Sequence, residues 1–320
     1  MPSLASPYCP PFLLRNGHFN TIGSHLFRKV PKLPFQRRLL PTPDGDFLHI
    51  EELKVANSST CVLLVHGLEG SAHSSYISTL AHTFYTQNWN VAALHLRGCS
   101  GTPNALYRAY HSGSTDDLQT AIAYLAETYH ALSVVGFSLG GNIVLKYMGE
   151  KNVSPLVKAA VGISVPCHLS DACNVLATPR NTVYHRRFMA SLKRKLKQKM
   201  ALFPGKVSPS EFRKIKTIRQ FDESYTAPSN GYASAEDYYT QCSSLFGLSR
   251  IHVPTLLINA QDDPFLSPSC FPTNIAETNP HFYLRMPTFG GHVGYWPEHP
   301  NARWKHEDWT LDFLKNYLER

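Results

Sequence analysis

The sequence predicts an α/β fold: a mostly parallel sheet flanked by helices, with a helical cap inserted late in the chain. Three observations carry this. Apolar runs of strand length alternate with helix-period segments between residues 61 and 165. The alternation stops over residues 166–250 and resumes at Pro254. Several strand ends are followed by glycine together with Ser, His or Asp, and loops at one edge of a parallel sheet bring such residues to a common crevice.

Taken in order, residues 1–36 read as loop, with Pro10, Pro11, Pro31 and Pro34 as breakers. Arg37 to Pro41 and Phe47 to Lys54 read as two strands around the turn Pro43-Asp44-Gly45-Asp46. Cys61-Val62-Leu63-Leu64-Val65 is a continuous apolar run, suited to a strand buried on both faces. A helix over about Ser75 to Asn88 and a strand over Asn90 to Leu96 follow. Ser114-Thr115-Asp116-Asp117 opens the next helix, with a hydroxyl cap and acids in the first turn that favour the positive end of its dipole. It runs to about His130 and leads into the strand Ala131 to Val135; a further strand covers Val157 to Val165. Repeated strand–helix–strand units imply parallel pairing with right-handed crossovers.

In the insertion, Asn181 to about Phe203 reads as a helix with Tyr184, Phe188, Leu192, Leu196 and Met200 at four-residue spacing. Its other face carries Arg186, Arg187, Lys193, Arg194, Lys195, Lys197 and Lys199, expected to be solvated. A short helix near Pro209 to Ile218 and a Tyr-rich segment, Tyr225 to Tyr239, complete it. The expected division is a core of residues 1–165 and 251–320 and a cap of residues 166–250. The sheet resumes with Pro254 to Ala260, a helix near Pro268 to Thr278, a strand from His281 to Met286 and a last helix from about Trp304 to Leu318.

Composition narrows the function. Apolar content of 43% and charged content of 17% describe a chain that folds rather than one that stays disordered. No apolar run is long enough to span a bilayer. The N-terminus lacks a basic start followed by an apolar stretch, so no secretory leader is expected. Seven scattered cysteines without a C-x-x-C pair point to reduced thiols and a cytoplasmic setting. No H-E-x-x-H is present, and neither a metal nor a cofactor is expected. Residues 180–220 hold thirteen Lys or Arg against one acid, a local balance of +12; the whole chain carries +8, so the remainder is −4. A nucleic-acid binder is not expected to confine its charge to one insert in this way.

The chemistry centres on Gly136-Phe137-Ser138-Leu139-Gly140, set between a strand and a helical pattern. G-x-S-x-G in that context is a nucleophile elbow: the tight turn exposes the serine, and glycines stand where a Cβ would collide. A serine hydroxyl needs a base. Later strand ends supply Asp262-Asp263-Pro264-Phe265 and Gly290-Gly291-His292-Val293-Gly294, giving the chain order Ser…Asp…His of the α/β-hydrolase arrangement. His292 would take the proton of Ser138, and one aspartate would orient the imidazole. Asp263, directly before Pro264, is favoured for that role, with Asp262 as the alternative acid. The backbone N–H groups of Leu139 and of Leu68, which ends His66-Gly67-Leu68, are the expected oxyanion donors.

Over nearly its full length the chain resembles the YheT-like α/β hydrolases, also called the AB-hydrolase 4 family. The resemblance lies in Asn16-Gly17-His18, His66-Gly67-Leu68-Glu69-Gly70-Ser71, Arg97-Gly98-Cys99-Ser100-Gly101, Tyr110-His111-Ser112-Gly113, Gly136 to Asn142, Asp262 to Phe265 and Gly290 to Gly294. It implies the α/β-hydrolase fold and a triad of Ser138, Asp262 or Asp263, and His292. It also implies carboxylic-ester hydrolysis, with eukaryotic relatives acting on medium-chain acyl esters and phospholipids.

His66, Cys99, His111 and Ser112 are expected to be structural, and Asp116 and Asp117 to be first-turn acids rather than metal ligands. The expected activity is that of a serine esterase on short- to medium-chain acyl esters, with Phe137, Leu139, Phe265 and the cap meeting the acyl chain. Two rivals are an acyltransferase using the same acyl-enzyme with an alcohol acceptor, and a non-catalytic lipid-binding protein of the same fold. The basic helix at 181–203 admits a second reading beside the solvated one, a peripheral contact with anionic membrane.

Overall fold

The computed structural model describes residues 4–56, 58–299 and 302–318; residues 1–3, 57, 300, 301, 319 and 320 of the expected core lie outside these. Helix α1 (Gly17–Phe27) precedes an eight-stranded sheet. The strands are β1 (Gln36–Pro41), β2 (Phe47–Leu53), β3 (Thr60–Val65), β4 (Asn90–His95), β5 (Ala131–Phe137), β6 (Val157–Ile163), β7 (Thr255–Ile258) and β8 (Phe282–Arg285). Their order is β1-β2-β4-β3-β5-β6-β7-β8, with β2 antiparallel to both neighbours and every other pair parallel. Helices α2 (Ser75–Tyr85), α3 (Thr115–Ala126) and α4 (Leu139–Met148) fall between the strands from β3 to β6. Between β6 and β7 lie α5 (Leu169–Leu176), α6 (Thr182–Leu202), α7 (Pro209–Lys214) and α8 (Ala235–Cys242), with the short helical turns Ile218–Phe221 and Ala227–Ser229 between α7 and α8. Helix α9 (Thr273–Thr278) joins β7 to β8, and α10 (Lys305–Leu318) follows β8.

Alternate residues of a strand point to opposite faces. In β3, Leu63 and Val65 join Leu118, Ile122 and Ile143 on one side, while Val62 and Leu64 join Ile77, Phe84 and Leu314 on the other. Both faces are covered, which is why the strand reads as unbroken apolar sequence. The parallel register sets Val65 beside Gly136, Phe137 beside Ile163 and Ile163 beside Ile258. The ends of β3, β5, β6 and β7 therefore stop at one level, and the loops beyond them share a crevice.

The structure corrects three expectations. Residues 1–36 are not all loop, because α1 forms between the proline pairs with the Asn16 side chain accepting from the backbone of His18 and Phe19. The segment 268–278 is a 3₁₀ turn, Pro268–Cys270, followed by α9; Pro272 stands between them and cannot continue a helical ladder. The lysines of α6 are not uniformly solvated: Lys195 reaches Glu69, and Lys199 is buried with its ammonium donating to the carbonyls of Asn104 and Leu106. Burial pushes Lys199 down to about 8.

Candidate active site

Ser138 lies between β5 and α4 with φ 51° and ψ −120°. This is a strained conformation for a residue with a Cβ, costing about 1–3 kcal/mol. Its surroundings impose it. The Ser138 N–H donates to Ile163 O at 2.9 Å, and a Cβ at Gly136 would sit 2.4 Å from Gly140 O. A Cβ at Gly140 would sit 2.4 Å from His66 O, so the chain passes here only as glycine.

His292 comes from the loop after β8. Its Nε2 is 3.0 Å from Ser138 Oγ, and its Nδ1 is 2.9 Å from Asp263 Oδ2. The Asp263 carboxylate is buried and also accepts the Phe265 N–H at 2.9 Å, so it is held in place from two sides. A carboxylate at Nδ1 places the proton there and leaves Nε2 free to accept from the serine. Asp262 points elsewhere: its Oδ1 accepts the Gly291 N–H at 2.8 Å, and burial pushes its carboxyl up to about 6. The adjacent acids thus divide, one on the imidazole and one on the backbone of the histidine loop.

That loop is braced by groups from three directions. Thr21 Oγ1 of α1 accepts the His292 N–H at 2.8 Å, and Ser164 Oγ accepts the Val293 N–H at 2.9 Å. The Tyr295 hydroxyl donates to Ile258 O and accepts from Ala260 N, each at 3.2 Å, tying the loop to the end of β7.

Leu139 is the first residue of α4, so its N–H has no partner within the helix. Leu68 follows β3, and both leucines face one cavity with Ser138 and His292. The cavity encloses about 1280 Å³ including its mouth. Leu169, Phe188, Leu192 and Phe265 line it, so its walls come from both the sheet loops and the insertion. Phe265 also packs on the His292 ring at 4.2 Å between centroids. Phe137 does not reach the cavity. It is wholly buried on the opposite side of the elbow, against Tyr76 and His306, because adjacent strand residues point to opposite faces. The expectation that it meets substrate is overturned.

A family model described as the alpha/beta hydrolase fold matches residues 60–298. The chain belongs to that family. Within the α/β hydrolases it is 35% identical to YheT of Escherichia coli (strain K12), with 99% of this chain and 95% of that protein covered. It is 27% identical to phospholipase ABHD3 of Homo sapiens over 92% of this chain and 76% of that one. It is also 27% identical to monoacylglycerol lipase of Saccharomyces cerevisiae, over 87% and 65% respectively. Among solved structures, the Pyrococcus furiosus esterase Pf2001 superposes with a TM-score of 0.61 at 15% identity, covering 91% of this chain and 98% of that one.

Other residues of this α/β hydrolase sit as follows. His66 is buried, its Nδ1 donating to Gly67 O at 2.8 Å and its Nε2 accepting from Leu96 N at 3.1 Å; burial pushes it down to about 3, so it stays neutral. Cys99 is buried beside Lys195, and burial pushes its thiol up to about 11. The Ser112 backbone N–H donates to the Tyr238 hydroxyl, and Asn142 on α4 donates to both Ser112 O and Cys242 O while accepting from Ser244 N. His111 lies against Tyr232 and Tyr238 of the insertion. Asp117 is buried on Arg97 at 2.6 Å, and Asp116 pairs with Arg108. Among the described residues, Glu51, His73 and His95 bring ligand atoms close enough to share a metal. The Arg37 guanidinium also holds Glu51 at 2.7 Å.

Sequence reasoning missed Glu69. Its carboxylate accepts from Tyr110 Oη at 2.8 Å, pairs with Lys195 Nζ at 2.9 Å and accepts from Ser191 Oγ. The residue stands in His66-Gly67-Leu68-Glu69-Gly70 with φ 54°, and an acid in a turn that aims a backbone donor was the available signal.

Proposed function

We propose that this chain is a serine carboxylic-ester hydrolase acting on short- to medium-chain acyl esters. It is an α/β hydrolase of the esterase and lipase type, as relatives named phospholipase and monoacylglycerol lipase support. The observation that carries the finer reading is the line Ser138 Oγ–His292 Nε2 at 3.0 Å and His292 Nδ1–Asp263 Oδ2 at 2.9 Å, opening on an apolar cavity.

Ser138 Oγ attacks the acyl carbonyl carbon as its proton passes to His292 Nε2, and the imidazolium is stabilised by Asp263. The oxygen that gains charge is met by the Leu68 and Leu139 N–H groups, each worth roughly 3 kcal/mol in the transition state. Collapse expels the alcohol, which leaves with the proton from His292. Water then enters, gives a proton to the same nitrogen and attacks the acyl-enzyme, returning Ser138. Leu139, Phe188, Leu192 and Phe265 bury the acyl chain, at about 0.8 kcal/mol per methylene removed from water.

The test is a p-nitrophenyl ester series from acetate to palmitate with Ser138→Ala as blank, together with fluorophosphonate labelling. A kcat/KM maximum between butyrate and decanoate, with labelling lost in the blank, is expected. A maximum at acetate or palmitate, or an unlabelled serine, overturns the reading. Ethanol in the assay separates hydrolysis from acyl transfer by product.

A further inference from the structure

Helix α1 is inverted. A helix on a protein surface turns its apolar stripe to the core and its polar residues to water. Here the buried positions are Gly17, Asn20, Gly23 and Ser24, while Phe19, Ile22, Leu26 and Phe27 are exposed, Phe19 by 62% and Phe27 by 70%. The turn before it adds Phe12 and Leu13, exposed by 80% and 77%. At the start of α6, next to Tyr184 that stacks on His18, Val183 is exposed by 72%. The inward face has its own use: Gly17 packs on Asp262 O, and Thr21 holds the backbone of His292. Apart from the edge contact of Phe27 with Trp296, centroids 6.3 Å apart, this face makes no ring contact among the described residues, and its apolar side chains are large.

The charge around this patch has one sign. Neither residues 1–43 nor residues 172–210 contain an Asp or Glu, so both helices that build this edge lack acids entirely. Arg15, Lys29, Lys32, Arg180, Arg186 and Arg187 are exposed there. Glu298, two residues from the Trp296 that packs on Phe27, is neutralised by Lys305 at 2.8 Å. Exposed aromatic and aliphatic side chains rimmed by cations match a bilayer interface, where the apolar groups enter the acyl boundary and the cations meet phosphate. A second copy of the chain fits poorly, because self-pairing would set these cations against each other without a carboxylate between them.

We propose that α1, the turn Phe12–Leu14 and the start of α6 form a docking face for an anionic lipid surface. The proposal rests on the ester-hydrolase reading only for its purpose: an ester lying in the bilayer would enter beside Tyr184 and Phe265, which pack together next to His292. The face is not the basic side of α6 alone. Its grip is apolar, centred on α1, and the cations orient it.

The experiment uses the full chain carrying Ser138→Ala, so that no lipid is consumed, in co-sedimentation with phosphatidylglycerol vesicles and with phosphatidylcholine vesicles. Binding to the anionic vesicles at low salt is expected, weaker on the zwitterionic ones. The double variant Phe19→Ser/Phe27→Ser should lose at least tenfold in bound fraction, with a melting temperature lower by no more than a few degrees from the lost contact of Phe27 with Trp296. Placed on the active chain, the same double variant should cleave dissolved p-nitrophenyl butyrate at the parent rate. Three results would overturn the proposal: no vesicle binding by the Ser138→Ala chain, binding that the Phe variants leave intact, or a concentration-dependent dimer that they dissolve while vesicles stay unbound. Each leaves the rate on dissolved ester untouched, so failure of the docking face and failure of the esterase reading are separate outcomes.

Discussion

Glu69, in the loop after β3, pairs with Lys195 of the insertion helix α6 at 2.9 Å. The carboxylate sits one residue past Leu68, whose N–H is the proposed oxyanion donor, and the same carboxylate accepts from Tyr110 and Ser191. The position of a backbone donor is therefore fastened to the part of the chain that covers the cavity.

Glu69→Gln should uncouple the two. The amide keeps the size of the side chain but leaves the Lys195 ammonium without its counter-charge, at about 1–3 kcal/mol. A kcat about tenfold lower, a smaller change in KM and a melting temperature lower by a few degrees are expected. Steady-state kinetics with unchanged kcat would remove the coupling.

The two adjacent acids should differ sharply. Asp263→Asn keeps the packing but favours the wrong imidazole tautomer, an effect of about 10⁴ in kcat in serine hydrolase triads. Asp262→Asn keeps an oxygen that can accept from Gly291 N and removes only the charge, and its kcat should stay within about tenfold of the parent. If Asp262→Asn proves the more damaging, the assignment of the triad acid reverses.

Asp222 gives a pH-dependent stability prediction. It lies on the cavity wall, accepts from Tyr239 Oη at 2.7 Å and is pushed up to about 6 by burial. The unfolded carboxyl titrates near 3.9. Between those values the folded chain holds a proton that the unfolded chain has released, so this group favours the folded state at low pH and loses that contribution as pH rises through 6. Asp222→Asn removes the dependence. Its melting temperature relative to the parent should climb from pH 4 to pH 6 and level off above, a change of about 2–3 kcal/mol at 1.36 kcal/mol per pKa unit. A difference that is flat with pH would show that Asp222 stays ionised.

Cavity length should set acyl preference. Leu192 of α6 lines the wall, and Leu192→Trp fills part of it. The kcat/KM maximum should shift to shorter esters, with each excluded methylene weakening binding about fourfold, from about 0.8 kcal/mol. An unshifted maximum in the p-nitrophenyl series would place the acyl chain elsewhere.

The elbow and the histidine were legible because their chemistry leaves marks in the residues themselves. Glycines at 136 and 140 record a close backbone approach, and the parallel strands record a buried sheet. Asp262 against Asp263 was harder, since neighbouring side chains diverge and only the folded chain shows which one meets the imidazole. Phe137 misled because an apolar residue beside a nucleophile reads the same whether it faces a substrate or the core. Helix α1 escaped because its apolar stripe faces outward and prolines stand on either side of it. The partners of Lys195 and Lys199 were not legible, because a lysine on a basic helix carries no sign of the acid or carbonyl waiting across the cavity.

Asn142 holds a further consequence. From α4 its amide bonds the chain at both Ser112 and Cys242, and Ser244 bonds back to it, so the returning end of the insertion is anchored beside the nucleophile itself. Helix α6, in the middle of the insertion, is held to the sheet loops by Lys195 on Glu69, by Lys199 on the carbonyls of Asn104 and Leu106, and by Tyr184 against Phe265. The cover of the cavity is thereby joined to α4, the helix that begins at the nucleophile, so loss of the Asn142 amide would loosen the covering segment and the elbow together.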